Sequence, residues 1–206
     1  MNEICSQCPF KRQSDMNYQS YSHRLRIIEA YDDMVRMKLK TSKGYFVNFM
    51  FNQLPGGREA KLQQMRRQIE RFHGLLTRHI VRKPESKNWR RLRPVLIVAP
   101  DLPVPKREKT SLKRLGGAND GLHINGILLV PQHRRRAKRV EVVSKRKQSR
   151  LRVSVKKHLR DKERLFVNES LARVHVTKIA RGTMADYMFK TVKKGLADLD
   201  DVLILN

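Results

Sequence analysis

Cysteine is scarce in this chain: Cys5 and Cys8 are its two thiols. Two cysteines build no disulfide framework, so the expectation is a reducing, cytoplasmic setting. Their C-x-x-C spacing is half a zinc site. With no second pair, and His23 at no finger spacing, ordinary reduced thiols are the favoured reading. No run approaches the roughly 18 apolar residues of a membrane span, and the N-terminus lacks an apolar h-region. Neither a membrane partner nor a secretory signal is therefore expected. There is no G-x-x-x-x-G-K-[ST] loop, so any strand unwinding would need another protein. The absence of internal repeats and of Gly/Ser linkers argues against division into several folding units. The most telling shortage is of acids. Nineteen Asp and Glu stand against 46 Lys and Arg, a net charge of +27 with a pI near 10.9. Such a balance favours polyanions, and nucleic acid is the default partner; the bland alternative is a generally basic soluble protein.

What is present suffices for a core: 39% of residues are hydrophobic, although aromatics are 6%. The polar start is followed by apolar residues fitting an amphipathic helix over 23–40. Gly44 opens an aromatic strand over 45–52, with Phe46 to Phe51 largely buried. After the turn at Leu54-Pro55-Gly56-Gly57, Leu62, Met65, Ile69, Phe72 and Leu76 step by three and four, predicting a helix from Arg58 to Ile80. Trp89 falls in a loop over 85–91. Strands are predicted over 94–100 and 121–130, joined by a polar loop over 101–120. A short strand is expected near Val140, Val142 and Val143, a helix over 151–165, a half-buried strand over 173–179, a helix over 184–195 and a closing strand over 201–205. Strands and helices thus alternate as β-α-β-β-α-β-α-β, which predicts one α+β sheet with helices packed on it. Residues 132–164 are the most basic stretch, with fifteen Lys and Arg against Glu141, Asp161 and Glu163. Arg134, Arg135, Arg136, Lys138 and Arg139 are candidate phosphate contacts there, giving salt-dependent affinity without sequence preference. The alternative is a solvated face.

Two short patterns carry chemistry. Leu122 to Pro131 reads as a strand, and its period of two puts His123 and Asn125 on one face with Leu122 and Ile124 on the other. An imidazole and an amide oxygen side by side are two neutral metal ligands; a hydrogen-bonded histidine is the commoner reading of such a pair taken alone. If the strands over 94–100 and 121–130 pair antiparallel, Asp101 reaches His123. Asp120, the rival, falls on the opposite face. His123, Asn125 and Asp101 would then suit Mg²⁺ or Mn²⁺ better than structural zinc. On the helix over 184–195, Tyr187, Lys190, Thr191 and Lys194 share one polar face, with Phe189, Val192 and Leu196 on a buried one. Ammonium groups beside a tyrosine favour its nucleophilic form, which can attack a phosphodiester. Taken alone, such a face is most often merely solvated.

The order of these patterns resembles the HUH endonucleases, in particular single-tyrosine rolling-circle replication initiators. An aromatic strand comes first, here Phe46-Val47-Asn48-Phe49-Met50-Phe51. A His-hydrophobe-His strand running on to proline comes second, here His123-Ile124-Asn125-Gly126-Ile127-Leu128-Leu129-Val130-Pro131. A Tyr-x-x-Lys helix comes third, here Tyr187-Met188-Phe189-Lys190. The family pattern has a second histidine where this chain has Asn125. The resemblance covers roughly residues 44–206, leaving 1–43 as an N-terminal extension, and implies a ferredoxin-like, Rep-type antiparallel sheet. It further implies a metal-assisted nick in single-stranded DNA at a replication origin, a 5′-phosphotyrosine link and a free 3′-hydroxyl. Tyr187 would be the nucleophile, His123 a metal ligand and Lys190 the organiser of the phosphate or metal site. Lys194 is a further candidate DNA contact. A host helicase and polymerase would be partners, and the setting would be the DNA-associated cytoplasm of a cell carrying a mobile element. Two alternatives stay open: a DNA-binding protein on the same fold whose chemistry has decayed, motivated by Asn125, and a basic RNA-binding protein, motivated by charge alone.

Overall fold

The computed structural model describes residues 9–102, 118–132 and 153–206, with side chains from residue 21 onward except that of residue 88. The Cys5–Cys8 pair, Arg134, Arg135, Arg136, Lys138, Arg139, the expected strand near Val140 and most of the loop over 101–120 lie outside the described residues. The elements are α1 (Pro9–Leu39), β1 (Ser42–Phe51), α2 (Arg58–Ile80), β2 (Val95–Asp101), β3 (His123–Pro131), α3 (Val155–Asp161), α4 (Glu163–Phe166), β4 (Leu171–Lys178), α5 (Ala185–Met188), α6 (Lys190–Lys193) and β5 (Leu203–Leu205). The strands form one sheet in the order β4-β1-β3-β2-β5, every pairing antiparallel. The α+β expectation holds at that level.

Alternation along β1 divides the molecule into two layers. Tyr45, Val47, Phe49 and Phe51 point to one face with Leu96, Val98, Ile124 and Leu128, and α2 covers them. The three-and-four spacing of Leu62, Met65, Ile69, Phe72 and Leu76 lays a single apolar stripe on that face, and all five are buried. Phe72 stands edge-on to Phe49, ring centres 5.1 Å apart, and tilted against Phe166 of α4 at 5.3 Å. The opposite face carries Ile97, Ala99, Ile127 and Leu129 under Ile28 and Val35 of α1 and under Met188, Phe189 and Val192. Residues 21–39 therefore contribute to the core. Because β3 lies at the centre and is covered on both sides, its sequence reads as a nearly unbroken apolar run.

The tyrosine-bearing segment differs from the single helix expected over 184–195. It is two short turns, α5 and α6, meeting at Phe189 (φ −89°, ψ 9°), although Phe189 N still bonds to Ala185 O at 2.9 Å and Lys193 N to Phe189 O at 2.8 Å. The expected polar and buried faces are overturned at one position each. Thr191 is fully buried, because it turns onto the end of β2, and Leu196 is 43% exposed. Gly195, at φ +70°, ends the helix first, and Ala197 turns inward in place of Leu196. The helix expected over 151–165 is also divided, at Lys162 (φ −122°, ψ 28°). Ser154 caps its start by accepting from Lys157 N at 3.2 Å. The loop over 85–91 contains a 3₁₀ turn, Lys87–Leu92. Among the described residues no helix is long and apolar enough to cross a membrane.

Candidate active site

The register of β2 against β3 sets Asp101 directly opposite His123 and Ala99 opposite Asn125. Asp101 is completely buried, and a buried carboxylate survives only when its oxygens are filled. Here Oδ2 accepts from Asn125 Nδ2 at 2.7 Å and faces Lys190 Nζ at 2.8 Å and His123 Nε2 at 3.0 Å. Thr191 Oγ1 donates to Oδ1 at 2.9 Å and accepts from Leu102 N at 3.3 Å. The first turn of α6 is thereby tied to the end of β2. Burial alone would push the Asp101 carboxyl up; the bonds from His123, Lys190 and Thr191 outweigh it and hold the group below the ordinary carboxylate range. For His123 burial alone would favour the neutral ring, but Asp101 and the Gly121 carbonyl raise it above the usual imidazole value.

The turn that delivers His123 is built on Asn119, which sequence reasoning passed over. Asn119 and Asp120 both adopt left-handed backbone (φ 57°), and Gly121 follows at φ 78°. Asn tolerates that region, and Asn119 is locked there by three bonds: Leu54 N to its Oδ1 at 2.7 Å, its Nδ2 to Asn52 O at 2.8 Å, and its N to Gln53 Oε1 at 2.7 Å. The Ala118-Asn119-Asp120-Gly121 composition was the available signal. Asp120 itself points away, pairing with Lys61 at 3.0 Å, so the acid beside His123 is Asp101. Gly121 O sits 3.0 Å from His123 Nδ1 and sets the ring with Nε2 toward the carboxylate.

Tyr187 is half exposed on α5. Its ring meets Phe46 edge-on at 5.5 Å, and Lys190 Nζ lies 4.8 Å from its centre. Lys190 thus stands between the tyrosine ring and the buried carboxylate. Tyr187 and His123 line one open cleft of about 850 Å³, with Phe46, Asn48, Met50 and His175 on its floor and walls. Lys178 and Arg181 add positive charge there. Met50, 49% exposed, offers an apolar surface inside it. Lys193 pairs with Asp186 at 2.7 Å across the kink, and Lys194 is exposed. Of the site residues expected from sequence, Asp101, His123, Asn125, Tyr187 and Lys190 are brought together. Asn48, Thr191 and His175 join them; each lies on a predicted strand or helix face, but their meeting depends on cross-strand register.

Among the described residues no group of three or more His, Cys, Asp or Glu gathers as a metal site. A divalent site here therefore depends on Asn125 beside one imidazole and one carboxylate. The donors fit in kind: the Gly121 carbonyl orients the imidazole so that Nε2 faces Asp101 Oδ2 at 3.0 Å, and a cation between them would have to part the two and displace the Lys190 ammonium from the same oxygen. One atom is out of place for that role, since Asn125 directs its nitrogen, not its oxygen, at Asp101. No protein-family model matches the chain, and no curated protein or solved structure matches it.

Proposed function

We propose that the protein is a single-tyrosine HUH-type endonuclease and strand transferase, built on a Rep-type sheet, that nicks single-stranded DNA at an origin to start rolling-circle replication. The observation that carries this reading is the run of contacts from the buried Asp101 through His123 and Lys190 to the Tyr187 ring, with His123 and Tyr187 lining one cleft beside Lys178 and Arg181. A phenol at an open cleft can reach a phosphodiester that a buried side chain could not. The bond from the Tyr187 oxygen to phosphorus forms as the bond from phosphorus to the 3′-oxygen breaks. The phenol loses its proton, and the departing 3′-oxygen gains one. Lys190, anchored on Asp101, presents its ammonium where the non-bridging oxygens gather charge. A divalent cation, Mg²⁺ or Mn²⁺, held by His123, Asp101 and the oxygen of Asn125, would withdraw further charge from the same phosphate. Phe46 and Met50 offer apolar faces to a base, while Lys178, Arg181 and the basic stretch over 132–164 attract the backbone. Helicase and polymerase would be supplied by the host, in its DNA-associated cytoplasm.

A second reading, a DNA-binding protein whose chemistry has decayed, is favoured by the Asn125 nitrogen facing Asp101 and by the ammonium already seated there. One experiment separates the two. Incubated with labelled single-stranded DNA and Mn²⁺, the native chain should leave a covalent adduct on a denaturing gel, and Tyr187→Phe should leave none while still shifting the DNA on a native gel. An adduct that persists in Tyr187→Phe removes the tyrosine assignment. DNA binding with no adduct from either chain leaves the second reading.

A further inference from the structure

Asn48 of β1 and Asn125 of β3 are direct cross-strand partners on the cleft side of the sheet. Asn48 Nδ2 donates to Asn125 Oδ1 at 2.9 Å, and Asn125 Nδ2 donates onward to Asp101 Oδ2 at 2.7 Å. Asn125 is fully buried, and at the outer end of the relay Asn48 Oδ1 is buried yet accepts no hydrogen bond. A primary amide carries an acceptor at one end and donors at the other, on nearly the same shape. A half-turn of both amides therefore leaves the packing unchanged and exchanges their chemistry. Asn125 Nδ2 would then donate to Asn48 Oδ1, and Asn48 Nδ2 would take the outer position where Oδ1 now has no partner among the described residues. Asn125 Oδ1 would stand beside Asp101 Oδ2, where two oxygens repel unless a cation lies between them. The observed setting suits an ammonium on Asp101; the other suits a divalent ion.

We propose that Asn48 is a positioning residue for a divalent cation. Because it can donate or accept, it lets Asn125 turn its oxygen toward Asp101 and His123, so cation binding is coupled to a paired rotation of two amides. This rests on the metal site of the proposed nuclease and makes that site depend on a residue of β1. It also supplies a reason for an asparagine within an otherwise aromatic strand.

The test uses Mn²⁺ binding to the full chain, read from the electron paramagnetic resonance of free Mn²⁺, with a melting curve confirming that each variant is folded. Asn48→Leu, similar in size but without donor or acceptor, should weaken binding about tenfold. Asn48→Asp, which only accepts and so holds Asn125 oxygen-inward, should bind at least as tightly as the native chain. In ¹⁵N-labelled native protein, Mg²⁺ should move the side-chain amide signals of Asn48 and Asn125 with one midpoint. Native-strength binding by Asn48→Leu, with binding lost in Asp101→Asn, overturns the role of Asn48 and leaves the metal site standing. Equal weakening in both Asn48 variants makes the position one of packing and overturns the proposal likewise. Stationary Asn125 signals in the Mg²⁺-bound protein overturn it even if Asn48→Asp binds tightly, since an added carboxylate attracts cations by charge alone. Mn²⁺ that binds the native chain no better than Asp101→Asn removes the metal site and this inference with it.

Discussion

The two faces of the sheet use the same strands for opposite ends. Under α2 the interior is a continuous apolar layer, with Phe49, Phe72 and Phe166 in ring contact; His73 meets Pro94 O at 2.9 Å, and the buried Thr77 Oγ1 has no hydrogen-bond partner among the described residues. Under α1, α5 and α6 the apolar layer covers only part of the sheet. At the Asp101 end it gives way to a carboxylate shared among four donors. Adjacent residues of β3 serve the two sides: Ile124 belongs to the α2 layer and Asn125 to the relay. The period of two lets one strand carry stability on one side and chemistry on the other. Changes on the α2 side should therefore cost stability, and changes on the cleft side should cost function out of proportion to stability.

The largest expected effect is on the α2 side. Phe72 is fully buried between two rings, and Phe72→Ala should cost about 3–5 kcal/mol. Urea denaturation gives the value, and covalent attachment to DNA at low temperature should survive in the fraction that stays folded. Next comes Asp101→Asn. It removes the negative charge that Lys190 and His123 face and turns one of the two acceptor oxygens into a donor. Both cations are about a third exposed and can recruit water, which limits the loss to about 1.5–3 kcal/mol. DNA attachment should fall below detection at a temperature where the variant is folded. Stability lost with attachment intact would reverse the division between the faces.

How much of this was legible depended on the range of the forces involved. The five strands follow from apolar, β-branched and aromatic runs bounded by turn residues, with alternation in β4, and α2 from the three-and-four step; all of these signals are local. The meeting of Asp101 with His123 followed from one topological assumption, that two consecutive strands pair antiparallel. The kink at Phe189 was not legible, because it comes from docking onto β2 and α1 and not from any helix breaker. Thr191 read as solvent-facing for the same reason: its partner Asp101 is 90 residues away in sequence. Asn48 was visible as a polar residue in an aromatic strand, but its role depends on the register β1 adopts against β3. The orientation of the Asn125 amide depends on both neighbours at once, and spacing holds no trace of it.

A third substitution probes the seam between the faces. A Cβ on Gly126 would lie 2.9 Å from the backbone oxygen of Ile97 and 2.7 Å from Val98 Cγ1, so β2 and β3 would have to move apart. Gly126→Ala should cost about 1–3 kcal/mol as overpacking. Because Gly126 follows Asn125 directly, the same displacement should loosen the hold on Asp101. A stability loss in denaturant accompanied by loss of DNA attachment is expected. Loss of stability alone would mean the two faces are insulated even within one strand.

The smallest effect concerns pH, and here the faces should respond in opposite directions. Burial, with Arg93 nearby, pushes His73 below the usual imidazole value despite the Pro94 carbonyl. Burial, with His79 and Lys162, does the same to His158, whose Nε2 lies 2.8 Å from His79 Nδ1. These groups fold neutral. Their contribution is present above the unfolded histidine value of about 6.5 and is lost as pH falls below it toward the folded values. His123 is raised, so its contribution is fully present below about 6.5 and is lost as pH rises through the folded value. Asp101, held below its ordinary range, stays ionised throughout and adds no slope. Acidification from pH 7.5 to 5.5 should therefore weaken the α2 side and strengthen the cleft side, each by about 1 kcal/mol or less, with partial cancellation in the native chain. His123→Gln removes the compensating half, and its denaturation midpoint should fall more steeply on acidification than the native one. His73→Gln removes an opposing part, and its midpoint should fall less or rise. Midpoints in urea at the two pH values check both, and slopes that change in the same direction would show that the two faces do not differ in charge as argued.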